Sequence, residues 1–266
     1  MTTQATEPHT QVEAPAVVEV SALVKTYGGI RACDGIDLTV RKGELVGLLG
    51  RSGSGKSTLL RHLNALNRPD SGQIKVFGVE VAAARGAELR ALRRRVGVVF
   101  QQFNLIGRLS VLENVLVGGL GRVKGPRYGI ITWPRAERQA ALVCLDRVGL
   151  ADRAYERAQN LSGGQQQRVG IARMLMQQPE LVLADEPVSS LDPETAANVM
   201  DVLFRICLED QLTVICTLHQ VDLALGWTNR VVALRDGLVV LDRLTAKLDA
   251  ERLTRIYATE PAPSSA

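Results

Sequence analysis

No apolar run in this 266-residue chain is long enough and free enough of charge to cross a bilayer as a helix. Cysteine is sparse as well. Cys33, Cys144, Cys207 and Cys216 are the four, and no two form a C-x-x-C pair, so they read as buried or idle thiols in a reducing compartment. The opening residues, Met1 to His9, lack a basic start and an apolar h-region, which argues against secretion and for a cytoplasmic location. An excess of one charge is also missing. Thirty-two Lys and Arg against 28 Asp and Glu give a net +4, too mild to compel binding to nucleic acid or lipid, and no nucleic-acid partner is expected. No repeat of solenoid period is visible. Any membrane association must therefore come from a partner.

What is present suits one large domain with an inserted lobe. Residues 1–16, rich in Thr, Glu, Gln and Pro, read as a disordered N-terminal tail, and 251–266 as a C-terminal helix and flexible tail. Residues 17–250 form the ordered domain between them. Val17 to Val24 and Ile36 to Val40 alternate like half-exposed strands. Short β-branched runs at Val96 to Phe100, Leu181 to Ala184 and Thr213 to Leu218 suit buried parallel strands, with a helical stretch from Pro193 to Leu208. Asp236-Gly237 sits between two apolar runs as a hairpin turn. Residues from about 105 to 165 differ in texture and read as a helical lobe, with Ala141, Leu142, Leu145 and Val148 on one face and Gly149 as a stop.

One segment fixes the chemistry. Gly50, Arg51, Ser52, Gly53, Ser54, Gly55, Lys56 and Ser57 fit G-x-x-x-x-G-K-[ST], between a strand-like run (Leu45 to Leu49) and a helix-like run that opens at Thr58. Glycines let backbone N–H groups approach phosphate oxygens, and the helix start adds partial positive charge. Lys56 would reach the β- and γ-phosphates and the Ser57 hydroxyl would hold Mg²⁺. The reading is a nucleoside-triphosphate site. A solvated Gly/Ser turn is the bland alternative, and the flanking strand and helix disfavour it.

A P-loop alone leaves kinases, GTPases, helicases and transport ATPases open. Leu161-Ser162-Gly163-Gly164-Gln165, ahead of a helix-like run from Val169 to Leu175, narrows the field. A Ser-capped helix explains Ser162 but not the whole pentapeptide. Here the sequence resembles the ATP-binding-cassette ATPases over about residues 17–245. The resemblance implies an α/β P-loop fold: a RecA-like parallel-sheet core, an N-terminal antiparallel β subdomain and an inserted helical lobe. By the same resemblance Tyr27 stacks on adenine, Thr58 joins the phosphate loop, and Gln101 contacts Mg²⁺ and the attacking water. Asp185 holds Mg²⁺, Glu186 polarises the water, Asp192 lies in the D-loop and His219 senses the γ-phosphate. Catalysis would fall to Glu186, His219 and Gln101, and Mg²⁺ to Ser57, Gln101 and Asp185. ATP and Mg²⁺ are the implied cofactors. Ser162, Gly163, Gly164 and Gln165 would close the site of a second copy, packed head to tail.

The single cassette resembles detached subunits of bacterial importers, peripheral on the cytoplasmic face of the inner membrane. The expected partners are a second copy of the chain, two transmembrane permease subunits and, indirectly, a substrate-binding protein. Phe103 to Gly118, Arg157 to Asn160, Leu218 to Ala224 and the pair Thr132-Trp133 look like the phosphonate-importer branch. Residues 103–118 lie where the family docks a permease, so Phe103, Leu105 and Ile106 either form that contact or pack the lobe's own core. The run Arg90, Arg93, Arg94, Arg95 reads first as a solvated helix face and second as a contact for an acidic surface. Importers of phosphite, phosphate or polar amino acids remain the near alternative, and a soluble ATPase of DNA repair or translation the distant one.

Overall fold

The computed structural model describes residues 14–123, 125, 129–218 and 221–248. The expected C-terminal helix and tail at 251–266 and His219 lie outside the described residues. Of the expected tail at 1–16 only 14–16 are described, and Ala16 already opens a strand.

The chain begins with a hairpin of β1 (Ala16–Tyr27) and β2 (Ile30–Arg41), then runs through β3 (Leu45–Leu49) into α1 (Lys56–Leu63). Next come β4 (Ser71–Val76), β5 (Val79–Glu80), α2 (Gly86–Arg95) and β6 (Val96–Val99). Then follow α3 (Val111–Val117), α4 (Arg135–Arg147), α5 (Gly163–Met176) and β7 (Leu181–Ala184). The sequence closes with α6 (Pro193–Glu209), β8 (Thr213–Leu218), α7 (Val221–Trp227), β9 (Arg230–Arg235) and β10 (Leu238–Leu244). Two sheets result. One is antiparallel, in the order β2-β1-β4-β5; the other has the order β10-β9-β3-β8-β7-β6, parallel throughout except for the edge strand β10.

Period-two alternation sorts the central strands between two cores. Val46, Leu48, Leu181, Leu183, Ile215 and Val232 face the antiparallel sheet, together with Leu59, Leu60 and Leu63 of α1. Leu45, Leu49, Val182, Ala184, Val214 and Cys216 face the other way, onto α3 to α6. Burial on both faces explains why these strands read as unbroken apolar runs. Each fully buried leucine contributes roughly 1.5–3 kcal/mol. Three of the four cysteines are buried, and burial pushes the Cys33 thiol up to about 11 and the Cys207 thiol up to about 12, so these two stay protonated and inert at neutral pH.

Ala141 and Leu145 of α4 and its C-cap Val148 are buried and Leu142 half-buried, and Gly149 follows the cap at φ +70°. The N–H of Gly149 donates to the Asp146 carbonyl and that of Leu150 to the Leu145 carbonyl, which satisfies the last turn. Arg95 departs from the solvated-face expectation. It pairs with Glu180 at the foot of β7, and its guanidinium lies 3.7 Å from the centroid of the Phe77 ring.

Candidate functional site

Strand register sets the site. Leu49 pairs Leu218, Ala184 pairs both Cys216 and Val99, and every one of these strands points the same way. The loops that follow β3, β8, β7 and β6 therefore leave one edge of the sheet in a row. That edge carries Gly50 onward, Asp185 and Glu186, and Gln101. His219 follows Leu218 in the chain, outside the described residues.

The loop from Gly50 to Ser57 wraps the start of α1. Gly55 forms the helix N-cap at φ +104°, and a Cβ there would run into the Ala32 carbonyl of β2. No L-side chain fits both constraints. The β9–β10 turn braces the loop, as the Gly237 N–H donates to the Ser54 carbonyl at 3.3 Å. Lys56 is 4% exposed, and its ammonium donates to the carbonyls of Gly50 (2.7 Å) and Arg51 (3.1 Å). Burial lowers its pKa, and the charges of Glu186 and Asp185 partly oppose that. The buried Ser54 hydroxyl has no hydrogen-bond partner among the described residues. Arg51, Ser52 and Gly53 are exposed at the loop tip, and the Thr58 carbonyl is bonded to Nδ1 of the buried His62.

Opposite the loop, the Ser57 hydroxyl donates to Asp185 Oδ1 at 2.8 Å. Glu186 adopts φ +46°, a left-handed conformation that costs about 1–3 kcal/mol in a non-glycine residue. Its backbone N–H donates to the Thr217 hydroxyl at 2.6 Å, and that hydroxyl lies 3.2 Å from Asp185 Oδ1. Gln101 is exposed two residues past β6. The hairpin that contacts Gly55 also carries Tyr27, 47% exposed at its tip, whose hydroxyl accepts from Asn67. Lys56, Ser57, Asp185 and Glu186 form one oxygen-rich cluster on this edge.

The pentapeptide is not part of that cluster. Ser162 caps α5 through a capping box: its hydroxyl accepts from the Gln165 N–H, and its own N–H donates to Gln165 Oε1 at 2.9 Å. Gly164 is buried, and a Cβ there would overlap Thr195 Cγ2 at the start of α6; Gly163 faces Leu191. The carboxylate of Asp192 caps α6 by accepting from the Thr195 N–H, which holds its pKa below the usual range.

α5 packs along β6. Gln167 Nε2 reaches the Phe100 carbonyl at one end of the strand and Gln177 Nε2 the Val96 carbonyl at the other. Ten helical residues, about 15 Å, thus span four strand residues, about 13 Å. β6 lies three strands from β3 in the sheet, about 14 Å away. Among the described residues, the hydrogen bonds of Ser162 run to Gln165 and not to the Gly50–Ser57 loop. Sequence reasoning passes over Thr217, Gln167 and Arg173, which hold this edge in place. Arg173 donates to the carbonyls of Phe103 and Asn104. A polar residue in an apolar strand was the available signal for Thr217; the other two carry none.

The family model described as ABC transporter matches residues 33–189, which span the phosphate loop, the pentapeptide and the Asp185-Glu186 pair. The chain belongs to the ABC transporter family. It is an ATP-binding ABC ATPase whose hydrolysis is coupled to transport. Among ABC relatives, the phosphonates import ATP-binding protein PhnC of Nocardia farcinica is 60% identical, covering 92% of this chain and 91% of its own. The phosphate-import ATP-binding protein PhnC of Mycolicibacterium smegmatis is 59% identical over 94% of this chain and 95% of its own. The ATP-binding cassette MJ0796, solved as a dimer in a post-hydrolysis state bound to ADP and Pi, is 35% identical with a TM-score of 0.75, covering 86% of this chain and 98% of that one. The ADP conformation of the cassette MJ1267, at 23% identity and a TM-score of 0.78 over 92% of this chain and 96% of its own, bears on the ABC fold alone.

Proposed function

We propose that this chain is the ATP-hydrolysing subunit of an importer for phosphonates, working as a head-to-tail pair beneath two permease subunits on the cytoplasmic face of the inner membrane. The observation that carries the shared-site part is that exposed Ser162 caps a helix packed along β6, three strands from the β3 that leads into the Lys56 loop. A turn with a capped, exposed helix start is an anion site without an anion in its own chain. A second copy supplies one, as the dimeric ADP-bound relative illustrates for its own sequence.

The donor set fits Mg²⁺. Ser57 Oγ and Asp185 Oδ1 are hard oxygens already 2.8 Å apart, and Mg²⁺ is ordinarily held by one or two such groups together with substrate phosphates. When bound, the ion neutralises charge on the transferring phosphoryl group. Lys56 gives up its two loop carbonyls to donate to the β- and γ-phosphates, an exchange of neutral acceptors for charged ones. Ser54 offers its unpartnered hydroxyl to the same oxygens. Tyr27 presents its ring to the base, while Glu186 accepts the proton of the attacking water, with Gln101 and His219 orienting it. Ser162, Gly163, Gly164 and Gln165 cover the γ-phosphate of the partner copy, and Asp192 lies at the seam.

The groove beside α2 supports a permease partner. It is open, about 910 Å³, and lined by Arg90, Arg93, Arg94, Phe100, Asn104 and Leu120 among others. Arg93, Arg94 and Arg173 donate to backbone carbonyls there, and to no carboxylate among the described residues. That charge suits an acidic docking segment. No helix among the described residues is long and apolar enough to cross a membrane, so the translocation path belongs to the partner.

Phosphonate is favoured by the naming of most relatives at 45–60% identity, and phosphate by one at 59%. Uptake tests the choice. Deleting the gene should abolish uptake of radiolabelled methylphosphonate while leaving phosphate uptake intact. Loss of phosphate uptake alone would reassign the substrate.

A further inference from the structure

The hydroxyl of Thr217 is an anomaly in its strand. β8 is buried along its whole length, Thr217 is 0% exposed, and valine would fill the same volume without a polar atom. A buried hydroxyl is costly unless it is bonded, and among the described residues this one is bonded to the last residue of β7, Ala184, and to the two that follow it. The ladder between β7 and β8 stops at the Ala184–Cys216 pair, and the Asp185 N–H goes to the Val99 carbonyl on the other side. Glu186 turns into the left-handed region, and its N–H meets the Thr217 side chain. A hydroxyl has one proton to give. With its lone pair engaged by Glu186, the proton serves Asp185 Oδ1 at 3.2 Å in preference to the Ala184 carbonyl at 3.5 Å.

We propose that Thr217 is a positioning residue that aims Asp185 and Glu186 in their separate directions through one hydroxyl. The inference rests on the proposed reading of these carboxylates as the Mg²⁺-holding and water-polarising groups. Asp185 Oδ1 accepts from both Ser57 and Thr217, so when Ser57 turns its oxygen to a metal ion, Thr217 is the side chain among the described residues that still donates to the carboxylate. The same hydroxyl pins the strained turn that directs Glu186. Loss of one hydrogen bond to a charged group corresponds to roughly tenfold or more.

The test uses Thr217→Val, which keeps the shape, and Thr217→Ser, which keeps the hydroxyl. Mn²⁺ affinity is read by electron paramagnetic resonance with ADP present, nucleotide affinity is measured without metal, and ATP turnover is recorded in parallel. The expected result for Thr217→Val is metal-free ADP affinity within twofold of wild type, with Mn²⁺ affinity and kcat each at least about tenfold lower. Thr217→Ser should recover both to within about threefold, since its hydroxyl remains. A folded Thr217→Val with wild-type Mn²⁺ affinity and kcat overturns the proposal, as does a Thr217→Ser no better than Thr217→Val. Should Thr217→Val fail to fold, hydrogen exchange in the wild-type chain decides: slow exchange at the Glu186 amide supports the bond, and exchange as fast as at exposed amides overturns it. Glu186→Gln serves as a control on the underlying reading. If it turned over normally, the assigned chemistry would fail while the Mn²⁺ result still judged Thr217 separately.

Discussion

Replacing Gly164 with alanine pits two local effects against each other. A methyl group near the start of α5 favours the helix by at most about 1 kcal/mol. The same methyl overlaps Thr195 Cγ2, and Thr195 can yield little because it is β-branched and its N–H is tied to the Asp192 carboxylate. Overpacking of this kind costs about 1–3 kcal/mol, and a stiff neighbour places it at the upper end. The net expectation for Gly164→Ala is a loss of about 2 kcal/mol, read as a lower urea midpoint at unchanged m-value. Thr195→Ser removes the offending methyl but keeps the backbone cap, so Gly164→Ala with Thr195→Ser should regain most of that loss. Equal or greater stability in the single variant would refute the reasoning. So would a loss that the second substitution fails to relieve.

Two further substitutions probe the chemistry. Glu186→Gln should preserve ATP binding, accumulate an ATP-held dimer in size-exclusion chromatography and lower turnover about 100-fold or more, the scale of a lost general base; turnover within a few-fold of wild type would remove Glu186 from that role. Lys56→Ala empties the cation from the loop and should weaken ATP more than AMP, because only the outer phosphates lose their partner; equal affinity for both, unchanged from wild type, would place the lysine elsewhere.

Much of the fold was legible because burial on both faces leaves a mark in sequence. The runs Leu181 to Ala184 and Thr213 to Leu218 match β7 and β8 residue for residue. β1 and β2 extend beyond the alternation at Val17 to Val24 and Ile36 to Val40, since paired strands continue through polar residues such as half-buried Lys25 and exposed Arg31. β4 left almost no signal: Ser-Gly-Gln-Ile-Lys-Val has two apolar side chains, and pairing with β1 does the rest. The phosphate loop was visible because its glycines and lysine are dictated by close backbone approach. The hold of Thr217 on Asp185 and Glu186 was not, because register across a parallel sheet is a tertiary fact. Likewise the pentapeptide's second glycine carries a packing reason, Thr195, that no motif contains.

The central claim is that each nucleotide is closed by two chains, and cross-linking tests it most directly. One preparation carries Ser52→Cys at the exposed loop tip, a second carries Ser162→Cys, and both also carry Glu186→Gln; three of the native thiols are buried. They are mixed with ATP and a bifunctional thiol reagent shorter than three strand spacings, about 14 Å. The account predicts covalent dimers that need both preparations and ATP. An internal link within a chain carrying both cysteines, formed without any dimer, would contradict it.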